Sequence, residues 1–284
     1  MFQKATRKKV KLKLAITGPS GSGKSFSALR LSMGLGGKVA FIDTENGSAS
    51  LYSDRFSFDV MELSPPYLVT KYIDAINAAI DLGYETIIID SLSHAWAGEG
   101  GILQRKSDYD LQGKGNSYTN WAKFSKEQEF LNSKILNANA NIIVTMRSKQ
   151  DYQMIEDDKG KSKVQKLGLA PIQRDGMEYE FTTVFDVQMS HKAEASKDRT
   201  GLFIDQIFQI TEDTGKILRK WVDSGVEQLS REDTEKLELI AITDELINKI
   251  QEDKQLAAYQ ALAACTTIDQ VRNVNKRVQM TIQQ

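Results

Sequence analysis

The chain is 284 residues long and holds one cysteine, Cys265. A lone thiol excludes an internal disulfide and a cysteine-based metal cluster. Cys265 lies in an alanine-rich helical stretch, where a small core residue is expected. There are only two histidines, His94 and His191, and they are far apart with no metal-ligand spacing. Charge of one sign is also missing: the net charge is −1. No global field therefore draws the protein to nucleic acid, and any such binding must come from local patches. No apolar run is long enough to span a membrane. The N-terminus is basic and has no apolar stretch of signal-peptide type, so no secretion signal is expected. These absences suit a reducing cytoplasm.

What is present is concentrated at Gly18-Pro19-Ser20-Gly21-Ser22-Gly23-Lys24-Ser25. The pattern G-x-x-x-x-G-K-[ST] marks a phosphate-binding loop when a strand precedes it and a helix follows. Residues 11–17 alternate and are β-rich, and the run from Phe26 to Met33 has helical apolar spacing. This arrangement gathers backbone N–H groups at the positive end of a helix. Gly18 to Phe26 are therefore the expected nucleotide contacts. Lys24 would reach the β- and γ-phosphates, and Ser25 would ligate Mg²⁺.

From residue 10 to 150, β-like and helical patterns alternate, which argues an α/β fold with a parallel sheet. Strands are expected at 11–17, 38–43, 85–90 and 140–146, with helices at 24–35, 67–82 and 119–137. Val39–Ile42, Thr86–Ile89 and Ile142–Thr145 are continuous apolar runs, the mark of strands covered on both faces. Residues 149–170 read as a polar loop or ribbon, and 180–189 as a strand. Two more β runs, 202–210 and 216–222, flank Thr211-Glu-Asp-Thr-Gly215, expected as a hairpin turn. Ser224-Gly225 marks a boundary, giving a core over 1–223 and a helical region over 224–284. Thr267-Ile-Asp-Gln270 is a capping box opening a last helix.

Residues 84–90 form a strand ending in an aspartate. An acid at the tip of a parallel strand faces the same crevice as the phosphate loop, so Asp90 is the second expected Mg²⁺ ligand. The next residue is Ser91, not the glutamate that many such ATPases place there. Glu45, just past the second strand, is the expected general base. Asp43 is its competitor, nearer the strand body.

With Gly18–Ser25, Phe41-Ile-Asp-Thr-Glu45 and the strand closing on Asp90-Ser91, the chain resembles the RecA-type branch of P-loop ATPases. More closely it resembles a phage-encoded group of RecA-like, AAA-labelled ATPases associated with recombination and single-strand annealing. Ala5–Leu12, Ile89–Trp96, Val144–Lys149 and Leu169–Phe181 carry that likeness, which covers residues 4–210. The resemblance implies a RecA-like P-loop NTPase core with a mainly parallel sheet, a β-hairpin extension and a small helical C-terminal appendage. It implies ATP hydrolysis with Mg²⁺, and self-association with ATP at a subunit interface. A place in the host cytoplasm and a single-strand-binding or annealing protein as partner are also implied. Arg147, ending the fourth strand, stands where relatives keep a polar γ-phosphate sensor. Lys197 and Arg199 resemble the pair that reaches a neighbouring subunit's γ-phosphate.

In that architecture the loops after the third and fourth strands line the assembly axis. Here they are 97–118, with Arg105, Lys106, Lys114 and Tyr109, and 149–170, with Lys149, Lys159, Lys161, Lys163, Lys166 and Tyr152. Cations interleaved with aromatics suit single-stranded DNA, though Glu156-Asp-Asp158 opposes the second loop. The arm from Lys4 to Lys13 holds six cations and no acids. A nucleotide-switched adaptor such as a helicase loader, and a P-loop kinase or phosphotransferase, are the competing functions.

Overall fold

The computed structural model describes residues 4–113, 115–156, 162–226 and 231–282. They divide into two compact units: residues 10–225, and the N-terminal arm together with the chain from Val226 onward.

The larger unit begins with β1 (Lys13–Gly18), α1 (Lys24–Leu35), β2 (Val39–Asp43), β3 (Asp59–Glu62), α2 (Val69–Asp81) and β4 (Thr86–Asp90). It continues with α3 (Ser93–Ala97), α4 (Ile102–Leu111), α5 (Ser117–Asn137), β5 (Asn141–Glu156), β6 (Ser162–Pro171), β7 (Thr183–Val187), β8 (Ala193–Asp198), β9 (Ile207–Phe208) and α6 (Glu212–Asp223). The strand order is β3-β2-β4-β5-β1-β7-β8-β9, with β6 paired to β5 alone. Strands β3 to β7 along that path run parallel; β8 and β9 close the edge antiparallel.

The alternation of side chains along a strand explains the two cores. Leu14, Ile16, Phe41, Ile88 and Ile143 face one way, onto Leu29 and Leu35 of α1 and Leu218 and Val222 of α6. Ala15, Ile42, Ile87, Ile89 and Ile142 face the other way, onto Tyr72 and Ile76 of α2 and Leu131 and Ile135 of α5. Fully burying one Leu or Ile is worth roughly 1.5–3 kcal/mol. A sheet covered on both faces therefore holds its strand tips firmly, and the tips carry the polar residues. Trp96 and Trp121 stack on each other at 6.0 Å against the second core.

Three expectations are corrected. Residues 211–215 do not turn a hairpin; they open α6, and 216–222 are helical. Thr211 and Thr214 cap each other, Thr211 N–H donating to Thr214 Oγ1 at 3.0 Å. Gly215 serves packing: a Cβ there would lie 2.2 Å from Leu31 O, and one on Gly34 would lie 1.9 Å from Glu212 O. The β run over 202–210 shrinks to Ile207–Phe208. Residues 97–118 are largely helical rather than loop, because α4 packs Ile102 into the core. The stretch 149–170, open between loop and ribbon, is an antiparallel ribbon of β5 and β6 on either side of residues 157–161.

In the smaller unit, Lys8 pairs with Val226 through Lys9 N–H to Val226 O at 2.7 Å and Val226 N–H to Arg7 O at 2.8 Å. Helices α7 (Arg231–Ile247), α8 (Glu252–Ala263) and α9 (Ile268–Ile282) bury Ile247, Leu262, Val271, Val274 and Val278 together. Cys265 is half-buried against this cluster. Gln270 accepts from Thr267 N–H at 3.1 Å, completing the cap read from the sequence. Among the described residues no helix is long and apolar enough to cross a membrane.

Candidate active site

The phosphate loop leaves β1 at Gly18 and enters α1 at Lys24. Gly21 and Gly23 have φ of +79° and +88°, a region glycine enters without penalty. Lys24 is buried and its Nζ donates to Pro19 O at 2.8 Å. Burial lowers its pKa from the ordinary value; the carboxylates of Asp90 and Glu45 oppose that shift.

The parallel register sets Asp43 beside Asp90 at the tips of β2 and β4. Asp90 is 1% exposed. Its Oδ1 accepts from Thr145 Oγ1 on β5, and its Oδ2 has no hydrogen-bond partner. Burial raises its pKa, against the opposing influence of the neighbouring Ser25 and Thr145 hydroxyls. An unpaired carboxylate oxygen is costly when buried. Beside the Ser25 hydroxyl it forms the pair of hard oxygen donors that Mg²⁺ prefers. Among the described residues no cluster of three or more His, Cys, Asp or Glu could hold a metal. The fit is therefore to a metal that shares its shell with phosphate and water, as Mg²⁺ commonly does.

Asp43, the competitor for the base, spends both oxygens on backbone: Oδ1 accepts from Glu45 N–H at 2.6 Å and Oδ2 from Ala49 N–H at 2.9 Å. It anchors the loop that carries Glu45. Glu45 itself meets Arg147, which ends the part of β5 paired to β1, level with Gly18. Arg147 Nε donates to Glu45 Oε1 at 2.9 Å and Nη2 donates to Oε2. The loop residues, Glu45, Asp90 and Arg147 line one open cavity of about 550 Å³, together with Phe26, Tyr52, His191 and Gln209.

Residues 10–227 match the AAA domain family. The chain belongs to the AAA domain family. No curated protein matches it. An AAA-family ATPase domain supports nucleotide binding and hydrolysis.

Sequence reading missed the residues that brace the AAA domain's second and third tips. Thr44 N–H donates to Asp90 O at 2.7 Å, and Thr44 Oγ1 accepts from Ser91 N–H at 2.8 Å. Thr44 Oγ1 also lies 2.7 Å from His94 Nδ1, and Tyr67 stacks on His94 while donating to Thr44 O at 3.1 Å. Burial lowers the His94 pKa, favouring the neutral ring. Thr44 and His94 stand inside the quoted motifs, so the signal was present without a partner to give it meaning. His191 was also missed. The turn from β7 to β8 lies along the phosphate loop: His191 Nδ1 is 3.0 Å from Ser22 O, and a Cβ on Gly18 would meet Val187 O at 2.4 Å.

The remaining expected residues stand elsewhere. Thr183 faces Asp198 across β7 and β8, while β7 runs parallel to β1. Arg199, whose N–H bonds Thr182 O, is therefore at the opposite end of the sheet from its own phosphate loop. Lys197 Nζ and Arg199 Nη2 both donate to Tyr179 O, the latter at 3.2 Å. On α4, Arg105 forms a two-pronged pair with Glu127 of α5 at 2.7 and 2.8 Å. Lys106 is buried against Asp110 and Ser117, with its ammonium 5.0 Å from the Trp121 ring. Lys163 belongs to β6. Lys114, Lys159 and Lys161 lie outside the described residues.

Proposed function

We propose that the protein is an ATPase in which Lys24, Ser25 and Asp90 seat Mg²⁺ and ATP while Glu45 draws the proton from the attacking water. The observation that carries this is the buried, unpartnered Asp90 Oδ2 in one cavity with Lys24 and Glu45. Main-chain N–H groups of Gly21 to Ser25 and the Lys24 ammonium hold the β- and γ-phosphates. Mg²⁺, when bound, supplies positive charge to the phosphate oxygens. Glu45 orients the water and takes its proton, and Lys24 stabilises the charge that grows on the bridging oxygen. The products are ADP and phosphate.

The finer reading is an oligomer that acts on single-stranded DNA in phage recombination or replication, with ATP at a subunit interface. It is supported by Lys197 and Arg199. Since Arg199 stands at the far end of its own sheet, a γ-phosphate within its reach belongs to another copy. Such a cation in trans makes hydrolysis depend on assembly. The β5–β6 ribbon and the basic arm are the DNA candidates. A second reading, an adaptor switched by nucleotide that binds a protein, is favoured by the pairing of Arg105 with Glu127 and of Lys106 with Asp110, which offsets the two cations of α4.

The test is ATP turnover with and without single-stranded DNA, light scattering for assembly, and mixing of Arg199→Ala with Lys24→Ala protein. DNA stimulation and rescue on mixing support the finer reading. Constant turnover per protomer on dilution removes the trans role. A response to a partner protein alone selects the adaptor, and phosphate transfer to an added acceptor removes hydrolysis as the activity.

A further inference from the structure

Three glycines of the phosphate loop look onto the turn between β7 and β8. A Cβ on Gly18 would lie 2.4 Å from Val187 O, one on Gly21 3.6 Å from Met189 Cε, and one on Gly23 3.1 Å from His191 Nδ1. Every second residue of the turn thus meets a glycine of the loop. The last of these contacts comes with a hydrogen bond. A carbonyl only accepts, so His191 Nδ1 carries the proton and donates to Ser22 O at 3.0 Å.

Ser22 is fully buried, so its carbonyl has to find a donor within the protein. The peptide that joins Ser22 to Gly23 is trans, and a trans peptide points its C=O and N–H in opposite directions. A Ser22 carbonyl drawn toward His191 therefore turns the Gly23 N–H away from the hairpin. The local chain does not fix that plane by itself. Turning the peptide over changes ψ of Ser22 and φ of Gly23, and glycine takes either sign of φ.

The turn keeps its shape without the imidazole. Gln188 N–H donates to Lys192 O at 2.9 Å, and His191 N–H donates to Gln188 O at 2.8 Å. His191 has φ +60°, a left-handed conformation that Asn, Asp and His tolerate better than other side chains. A side chain held in such a conformation beside a binding loop points to function.

We propose that His191 is a positioning residue of the nucleotide site: by holding Ser22 O it aims the Gly23 N–H at the phosphates. It acts through the main chain of the loop and touches no reacting atom. The proposal rests on the nucleotide-binding part of the reading above and not on hydrolysis.

The test is nucleotide affinity by calorimetry, with ADP and with a non-hydrolysable ATP analogue, both with Mg²⁺. His191→Gly removes the donor and suits the backbone. It is expected to loosen both nucleotides alike, about fivefold, since the loop cradles phosphates that both carry. His191→Asn tolerates the same φ and returns an N–H at the δ position; it is expected to restore affinity to within about twofold of the parent. His191→Gln sets its N–H one atom further out and is expected to stay as weak as His191→Gly. The Gly23 amide proton, followed by NMR, is expected to shift on ADP addition in the parent and in His191→Asn, and to stay still in His191→Gly. Unchanged affinity in His191→Gly, or a loss that His191→Asn does not recover, overturns the role. Equal recovery by His191→Gln makes the contact one of packing and also overturns it. Should His191→Gly lower the thermal midpoint, the comparison of Asn with Gln carries the test. Binding with these losses and no phosphate release keeps the role and removes the ATPase reading; a parent protein that binds neither nucleotide removes both.

Discussion

Two buried lysines stand at opposite ends of the nucleotide-binding half of the sheet. Lys13 opens β1 and Lys24 follows its close, and both are under 10% exposed. Lys13 donates to Ala138 O at 2.8 Å and Ala140 O at 2.7 Å, clamping the chain between α5 and β5. Its nearest charged influence is another lysine, Lys11, and burial with that repulsion brings its pKa down to about 7. Lys24 has one carbonyl partner and lies in the field of Asp90 and Glu45. Burial of a cation is thus common to a structural clamp and to a binding site. The difference lies in what surrounds it: saturated carbonyls at one end, acids with an unmet oxygen at the other. Unmet polar atoms also occur elsewhere, at Thr86 Oγ1 and Gln128 Oε1, so the mark of the binding end is the acidic kind of the unmet atom, a carboxylate oxygen beside a lysine.

The comparison can be broken most sharply at Lys24. Lys24→Ala is expected to abolish ATP turnover while the thermal midpoint stays close to that of the parent; retained turnover would make Lys24 a second clamp. Glu45→Gln comes next, with turnover expected to fall about 10²–10⁴-fold and nucleotide binding kept, as read by steady-state rates beside calorimetry. The helix pair beneath the phosphate loop offers a purely structural contrast. Gly34→Ala drives a methyl into Glu212 O and is expected to destabilise by about 1–3 kcal/mol in urea unfolding.

The smallest effect on turnover belongs to Lys13. Its folded pKa lies below the ordinary 10.5, so the unfolded chain holds more protons between pH 7 and 10.5. Stability from this group therefore rises with pH across that window, by at most about 1.4 kcal/mol per pH unit. Lys13→Met is expected to remove that slope from the urea midpoint and leave turnover unchanged. A slope that survives the substitution would assign the pH dependence to another group.

Much of this was legible in the sequence, for reasons that differ by element. The inner strands of the parallel sheet announced themselves because burial on both faces demands apolar runs, as in Thr86–Asp90, whereas the edge strand β3, whose four residues are exposed, was not expected. The phosphate loop was legible because its geometry is local. Helix α6 was misread because Thr211 and Gly215 are turn-forming residues put to other uses, one capping a helix and the other admitting a neighbour. The spacing of Leu218 and Val222 was the helical signal beneath them. The Glu45–Arg147 pair was not legible, since 102 residues separate its members and only the strand order brings them together. Arg147 showed in the sequence only through the place that the resemblance gives it at the end of the fourth strand. The same holds for Thr44 with His94, whose meeting depends on β2 and β4 being neighbours.

The turn that joins β7 to β8 has one more consequence. Val187 O and the His191 ring press on the places where Gly18 and Gly23 would carry side chains. The hollow that receives the phosphates is thus moulded from outside, by a hairpin whose far end carries Lys197 and Arg199. One hairpin therefore touches the phosphate loop at its turn and carries Lys197 and Arg199 at its open end, so the two regions share a single pair of strands.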